Sequence, residues 1–133
     1  MENVHMIAIG EAARQSGVSI ETIRYYEREG VVPLPRRAPN GRRVYSEKEV
    51  GRLRFIRRCR DLGFAIAQAK DLLSLSEGEK QDCSAVWDIG ILHLDEVRSK
   101  IAELRALEAA LEELTANCRT GSVSCQMLEE LAR

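Results

Sequence analysis

Apolar residues in the second half of the chain return at three- and four-residue steps: Val97, Ile101, Leu104, Leu107, Leu111 and Leu114. That spacing lines them up as one stripe of a helix, with the seam of a coiled coil. From Cys83 to Cys118, an interval of 35 residues, there is no proline and only one glycine, Gly90. The pattern predicts one uninterrupted helix, roughly 50 Å long at about 1.5 Å per residue. A stripe of that length cannot be buried by so short a chain, so it asks for a second copy of itself.

The first half reads as shorter pieces. Ile7–Gly17 fits a short helix with Ile9, Ala12 and Ala13 turned inward. Gly17 supplies a turn, and Ser19 is a good N-cap for a second helix, Ser19–Glu29, whose Ile20 and Ile23 give it an apolar face. Helix, short glycine turn, helix is the helix-turn-helix pattern. The second helix would be the reading helix, offering Thr22, Arg24, Tyr25 and Arg28 on its outer face. Gly30 ends it, and Val31–Val32 resumes as a short extended piece. Pro33, Pro35 and Pro39 then break regular structure, Asn40–Gly41 is a hairpin turn, and Arg42–Tyr45 is the return strand. Such a two-stranded, arginine-loaded hairpin beside a reading helix is a wing. Ser46 and Glu49 form a capping box for the next helix, with Val50, Leu53, Phe55 and Ile56 on its buried side and Gly63 at its end. A helix over Ala65–Leu75 follows, then a polar linker, residues 76–82, suited to a hinge. The expected organisation is therefore mainly α: a winged helix-turn-helix domain over 1–75, the hinge 76–82, a dimerisation helix 83–117, and a loop with a short helix over 118–133.

Charge sharpens this picture. The net charge is −1, but within Arg36–Arg60 there are ten basic residues and two acidic ones. Nine of the ten are arginine, the planar donor suited to phosphate and guanine. A charge run alone is usually a solvated helix face; beside a wing and a reading helix it fits a DNA footprint. No apolar run approaches the ~18 residues that cross a membrane, and the N-terminal stretch lacks the segments of a signal peptide. The expectation is a cytoplasmic protein with no membrane partner.

Cytoplasmic cysteines are kept reduced, so metal binding or redox sensing outranks a structural disulfide for Cys59, Cys83, Cys118 and Cys125. Cys59 sits on the arginine-rich helix and reads as a small buried hydrophobe. His5 lies in the N-terminal tail and His93 in mid-helix, neither placed as a ligand. No C-x-x-C, no βαβ pattern and no activating histidine beside a cysteine supports a thiol enzyme. A thiol redox sensor or a metal-buffering protein is the reading from another class, and the arginine-rich wing argues against the latter.

Three segments together resemble the MerR family of bacterial transcription regulators: IGEAARQSGVSIETIRYYEREGVV, RVYSEKEVGRLRFIRRCRDLGF and the long C-terminal helix. The resemblance implies a homodimer whose winged domains grip two promoter half-sites, joined by an antiparallel coiled coil with the effector site at its ends. It implies DNA contacts from Thr22, Arg24 and Tyr25 of the reading helix, from Arg42, Arg43 and Tyr45 of the wing, and from Arg60. It also implies a promoter whose two elements RNA polymerase reads together only after the effector has deformed the DNA.

On that frame the cysteine spacing acquires a meaning. An interval of 35 residues is about ten turns of a 3.5-residue repeat, so Cys83 and Cys118 share a face at opposite ends of the helix. In an antiparallel pair, Cys83 of one subunit meets Cys118 of the other, and Cys125 returns through the turn 119–124. Three thiolates with no histidine suit a soft divalent ion. The segment GSVSCQML resembles the mercury regulators, which points to Hg(II). The short gap CRTGSVSC is closer to cadmium and lead regulators, which keeps Cd(II) and Pb(II) as alternatives. No organic cofactor and no enzymatic activity are expected.

Overall fold

The computed structural model describes residues 5–116 and 125–133. It divides into two compact units, Met1–Ile89 and Gly90–Arg133.

The first unit opens with β1 (Ile7–Ala8) and α1 (Ile9–Ser16). The sequence pattern starts this helix at Ile7. In the structure, Ile7 and Ala8 instead pair antiparallel with Tyr45 and Val44, so their backbone groups are satisfied by a strand and the helix begins two residues later. Gly17 then takes a left-handed conformation, φ 73°, and its N–H donates to the Ala13 carbonyl at 2.9 Å. This C-cap makes the turn of the helix-turn-helix. Ser19 caps α2 (Ile20–Arg28), its Oγ accepting from the Thr22 N–H at 3.2 Å.

The wing is a three-stranded sheet of order β1-β3-β2, with β2 at Arg36–Arg37 and β3 at Arg43–Tyr45. The expected two-stranded hairpin is thus widened by β1. The prolines do not prevent β2 from forming, because Pro35 and Pro39 flank the strand and leave both of its residues their N–H groups. Arg36 faces Val44 and Arg37 faces Arg43 across the ladder. The connecting loop is closed by the Ala38 N–H on the Arg42 carbonyl at 2.8 Å and by the Arg42 N–H on Asn40 Oδ1 at 3.0 Å.

Next comes α3 (Glu47–Asp61), which carries the predicted capping box: Glu49 N–H donates to Ser46 Oγ at 3.2 Å, and Ser46 N–H to Glu49 Oε1 at 3.3 Å. The following helix, α4 (Ile66–Glu77), outlasts its predicted end at Leu75. The two extra residues are held by Arg52 of α3, whose Nε lies 2.7 Å from Glu77 Oε1. The core lies between these helices: Ala12, Ile23, Val50, Leu53, Ile56, Ala69 and Leu73 are buried, and Phe55, Ile66 and Leu72 pack against them.

The long helix α5 (Cys83–Ala116) runs for 34 residues, as the unbroken apolar spacing predicts. Asp82 caps it, its Oδ1 accepting from the N–H groups of Ser84 and Ala85 at 3.1 Å each. The second unit contains α5 from Gly90 onward and α6 (Gln126–Leu131). On α5, Leu104, Leu107 and Leu111 are exposed within the single chain. Among the described residues, no helix is long and apolar enough to cross a membrane.

Candidate functional site

Helix α2 divides its side chains by face. Ile23, Tyr26 and Glu27 are buried, while Arg24, Tyr25 and Arg28 are exposed and Thr22 is half-buried. The outer residues, with Glu21, line one shallow groove. The Arg28 guanidinium sits 5.8 Å from the centre of the Tyr25 ring, a cation–π arrangement that holds the aromatic and the charge side by side. The structure therefore places the three predicted reading residues, Thr22, Arg24 and Tyr25, on one surface.

The wing arginines separate into two groups. Arg36, Arg37 and Arg42 are exposed, and Arg37 Nη1 donates to the Gly41 carbonyl at 2.7 Å, bracing the loop. Arg43 and Tyr45 turn the other way. Tyr45 is 3% exposed, and its hydroxyl donates to Glu27 Oε1 at 2.5 Å. Arg43 Nε lies 3.4 Å from Glu27 Oε2. Burial, and then the hydrogen bond to Glu27, push the Tyr45 phenol above its ordinary pKa. Tyr45, which the resemblance expects on DNA, is turned by the strand's alternation into the core, where the Glu27 carboxylate satisfies its hydroxyl.

The sequence pattern does not single out Glu27, yet it is the buried charge that receives both wing residues. The signal is its position: Glu27 stands four residues after Ile23, on the same inward face of α2.

The arginines of α3 hold the domain together as well as charging it. Arg54 Nε donates to the Gln15 carbonyl at 3.1 Å, and Arg60 Nη1 to the Phe64 carbonyl at 2.7 Å. Arg60 remains exposed.

Of the cysteines, Cys83 is the first residue of α5 and is exposed. Cys125 is the N-cap residue of α6 and is also exposed. Cys59 is packed in the core, and burial pushes its thiol pKa up. Cys118 lies outside the described residues. Among the described residues, no group of three or more His, Cys, Asp or Glu side chains is gathered to hold a metal ion. In mid-α5, His93 Nδ1 lies 3.8 Å from Glu96 Oε2.

A helix-turn-helix with an aromatic and basic reading face, flanked by an arginine-rich wing, defines a DNA-binding transcription regulator rather than an enzyme. Comparison with known proteins makes the assignment specific. Residues 7–76 match the model of the MerR HTH family regulatory proteins, and residues 50–114 match the model described as MerR, DNA binding. The chain is 37% identical over 127 residues to the mercuric resistance operon regulatory protein of Bacillus cereus, covering 94% of this chain and 96% of that one. It resembles the lead(II) complex of PbrR691 from Ralstonia metallidurans CH34 with a TM-score of 0.81 at 35% identity, over 94% of this chain and 98% of that one. It resembles the mercury(II) complex of MerR from Bacillus megaterium MB1 with a TM-score of 0.73 at 32% identity, over 96% of this chain and 100% of that one. The chain belongs to the MerR family of transcription regulators.

Proposed function

We propose that this protein is a metal-responsive regulator that binds promoter DNA as a homodimer, represses without metal and activates with it, and senses Hg(II) to control mercury resistance genes. The observation that carries the sensing reading is the contrast among the thiols. Cys83 and Cys125 stand exposed at the starts of two helices, while Cys59 is sealed in the core. Exposed thiols in a reducing compartment suit a soft ion.

The exposed leucine row of α5 supports the dimer, since a row at this spacing is covered by a second helix of the same kind. The sensing site takes Cys118 and Cys125 from one subunit and Cys83 from its partner. A helix of 34 residues spans roughly 50 Å, far beyond the reach of one ion's thiolate bonds, so a single chain does not close the site. On the DNA, Thr22, Arg24, Tyr25 and Arg42 make the contacts, with Arg60 on the backbone. Metal binding favours one arrangement of the two winged domains, and the DNA deformation that follows lets RNA polymerase read the promoter.

Lead is the second reading, favoured by the likeness to the PbrR691 complex and by the short gap between Cys118 and Cys125. Cadmium shares that gap argument. Run-off transcription from the protein's own upstream promoter, with Hg(II), Pb(II), Cd(II) and Zn(II) in competition under excess small thiol, separates them. Mercury should activate at the lowest free concentration. Activation by lead or cadmium first would reassign the effector, and activation by none would remove the sensing role.

A further inference from the structure

Glu27 is a carboxylate whose side chain is 1% exposed, deep on the inner face of the reading helix. A buried charge persists only when it is paired and hydrogen-bonded. Both of its partners come from one strand of the wing: the Tyr45 hydroxyl at 2.5 Å and Arg43 Nε at 3.4 Å. Of the two carboxylate oxygens, Oε2 has no hydrogen bond among the described residues and relies on the Arg43 charge. The wing is thus fixed to the reading helix across 18 residues of chain by one buried carboxylate.

We propose that Arg43 is a positioning residue: with Tyr45 it seats the wing on Glu27 of the reading helix, and it does not itself lie on a phosphate. This rests on the DNA-binding reading above and refines it. The wing's phosphate contacts then fall to Arg36, Arg37 and Arg42, which are exposed. A guanidinium that left Glu27 for a phosphate would strand a buried carboxylate, so the pairing is kept on DNA. The seat also fixes the spacing between the two DNA-contacting elements, because α2 and β3 share it.

The test is the salt dependence of binding to a duplex of the protein's own upstream DNA. Removing one cation from a phosphate flattens the slope of log Kobs against log salt by about 0.9. Arg42→Ala should show that change. Arg43→Gln should instead weaken binding by one factor at every salt concentration, with the slope unchanged. The double variant Glu27→Gln, Arg43→Gln removes both charges of the pair, so it should bind more tightly than Arg43→Gln alone and keep the wild-type slope. If Arg43→Gln does not fold, the slope of the double variant alone decides. A double-variant slope flattened by about 0.9 would place Arg43 on a phosphate and overturn the inference. A double variant no tighter than a folded Arg43→Gln would overturn the pairing as its cause. If the unsubstituted protein does not bind the duplex, the DNA-binding reading fails, and this inference with it.

Discussion

The turn of the helix-turn-helix hinges on Gly17, and Gly17→Ala measures how much. The residue sits at φ +73°, where a side chain costs about 1–2 kcal/mol because its Cβ crowds the backbone. A Cβ there would also lie 1.9 Å from Arg57 Nη1 and 2.8 Å from its Cζ. Those atoms are the tip of a half-exposed, flexible side chain whose ion pair with Asp61, at 3.9 Å, is loose. Moving that tip costs little, as exposed pairs are worth roughly 0–1 kcal/mol. The expected loss is therefore about 1–2.5 kcal/mol, carried mostly by the backbone. For a domain of this size each kcal/mol shifts Tm by about 4–8 °C, so a drop of roughly 4–20 °C is expected. Thermal unfolding followed by circular dichroism reads it. In an Arg57→Ala background the clash is gone, and Gly17→Ala should still lose most of that amount. Should Gly17→Ala melt with the wild type, or should the Arg57→Ala background erase the loss, the argument from backbone conformation is wrong.

Other outcomes follow from the same structure. A thiol reagent should modify Cys83 and Cys125 in the folded protein and Cys59 only on unfolding; mass spectrometry showing Cys59 labelled as fast as Cys83 would contradict its burial. Tyr45→Phe removes a buried hydrogen bond to a carboxylate and should cost about 1.5–3 kcal/mol near neutral pH. Because the folded phenol's pKa is raised, the stability it contributes is complete below the unfolded value, about 10, and is lost as the pH climbs towards the folded one. The gap between wild type and Tyr45→Phe should therefore narrow from pH 9 to 11, and denaturant titrations giving a constant gap would count against the shift. The single tryptophan, Trp87, is exposed one helical turn beyond Cys83, so effector metal should change its fluorescence, and Cys83→Ser should abolish both that change and induction while leaving DNA binding intact. A normal response from Cys83→Ser would remove the cross-subunit site.

Periodicity carried the helices because each has a one-sided environment: α3 alternates Val50, Leu53 and Ile56 with arginines, and the stripe of α5 has no break for 34 residues. Capping residues set starts well, as Ser19 and Ser46 confirm. What local pattern misses is partnership across the chain. Ile7–Ala8 becomes a strand only because β3 offers an edge much later in the chain, at Tyr45 and Val44. The last turn of α4 persists because Arg52 reaches Glu77. Glu27 looks like any solvated helix charge until the wing folds over it. For the reading face, spacing alone sufficed, because Thr22, Arg24, Tyr25 and Arg28 need only lie opposite Ile23 and Tyr26.

The arginine-rich stretch shows why composition overstates a DNA footprint. Of the ten cations in Arg36–Arg60, Arg43, Arg52 and Arg57 face carboxylates. Arg37, Arg54 and Arg60 spend a donor on a backbone carbonyl. Arg36, Arg42, Lys48 and Arg58 make no side-chain hydrogen bond or ion pair among the described residues. With Arg24 and Arg28 of the reading helix these four give six cations without a carboxylate or carbonyl partner among the described residues, half of the twelve that a charge count from Arg24 to Arg60 would supply. A guanidinium bound to a carbonyl keeps its charge and can still draw a phosphate, but leaving its partner costs a hydrogen bond, so it is a weaker donor to DNA than an unengaged one. The small domain has few aromatics with which to build a large core, and its arginines do part of that work, tying α3 to α1 and to α4, and the wing to α2. The same residue type thus serves two ends, and only its partner within the fold tells which: Arg42 and Arg43 are neighbours in sequence, yet one points to solvent and the other holds the buried carboxylate that aligns the reading helix with the wing.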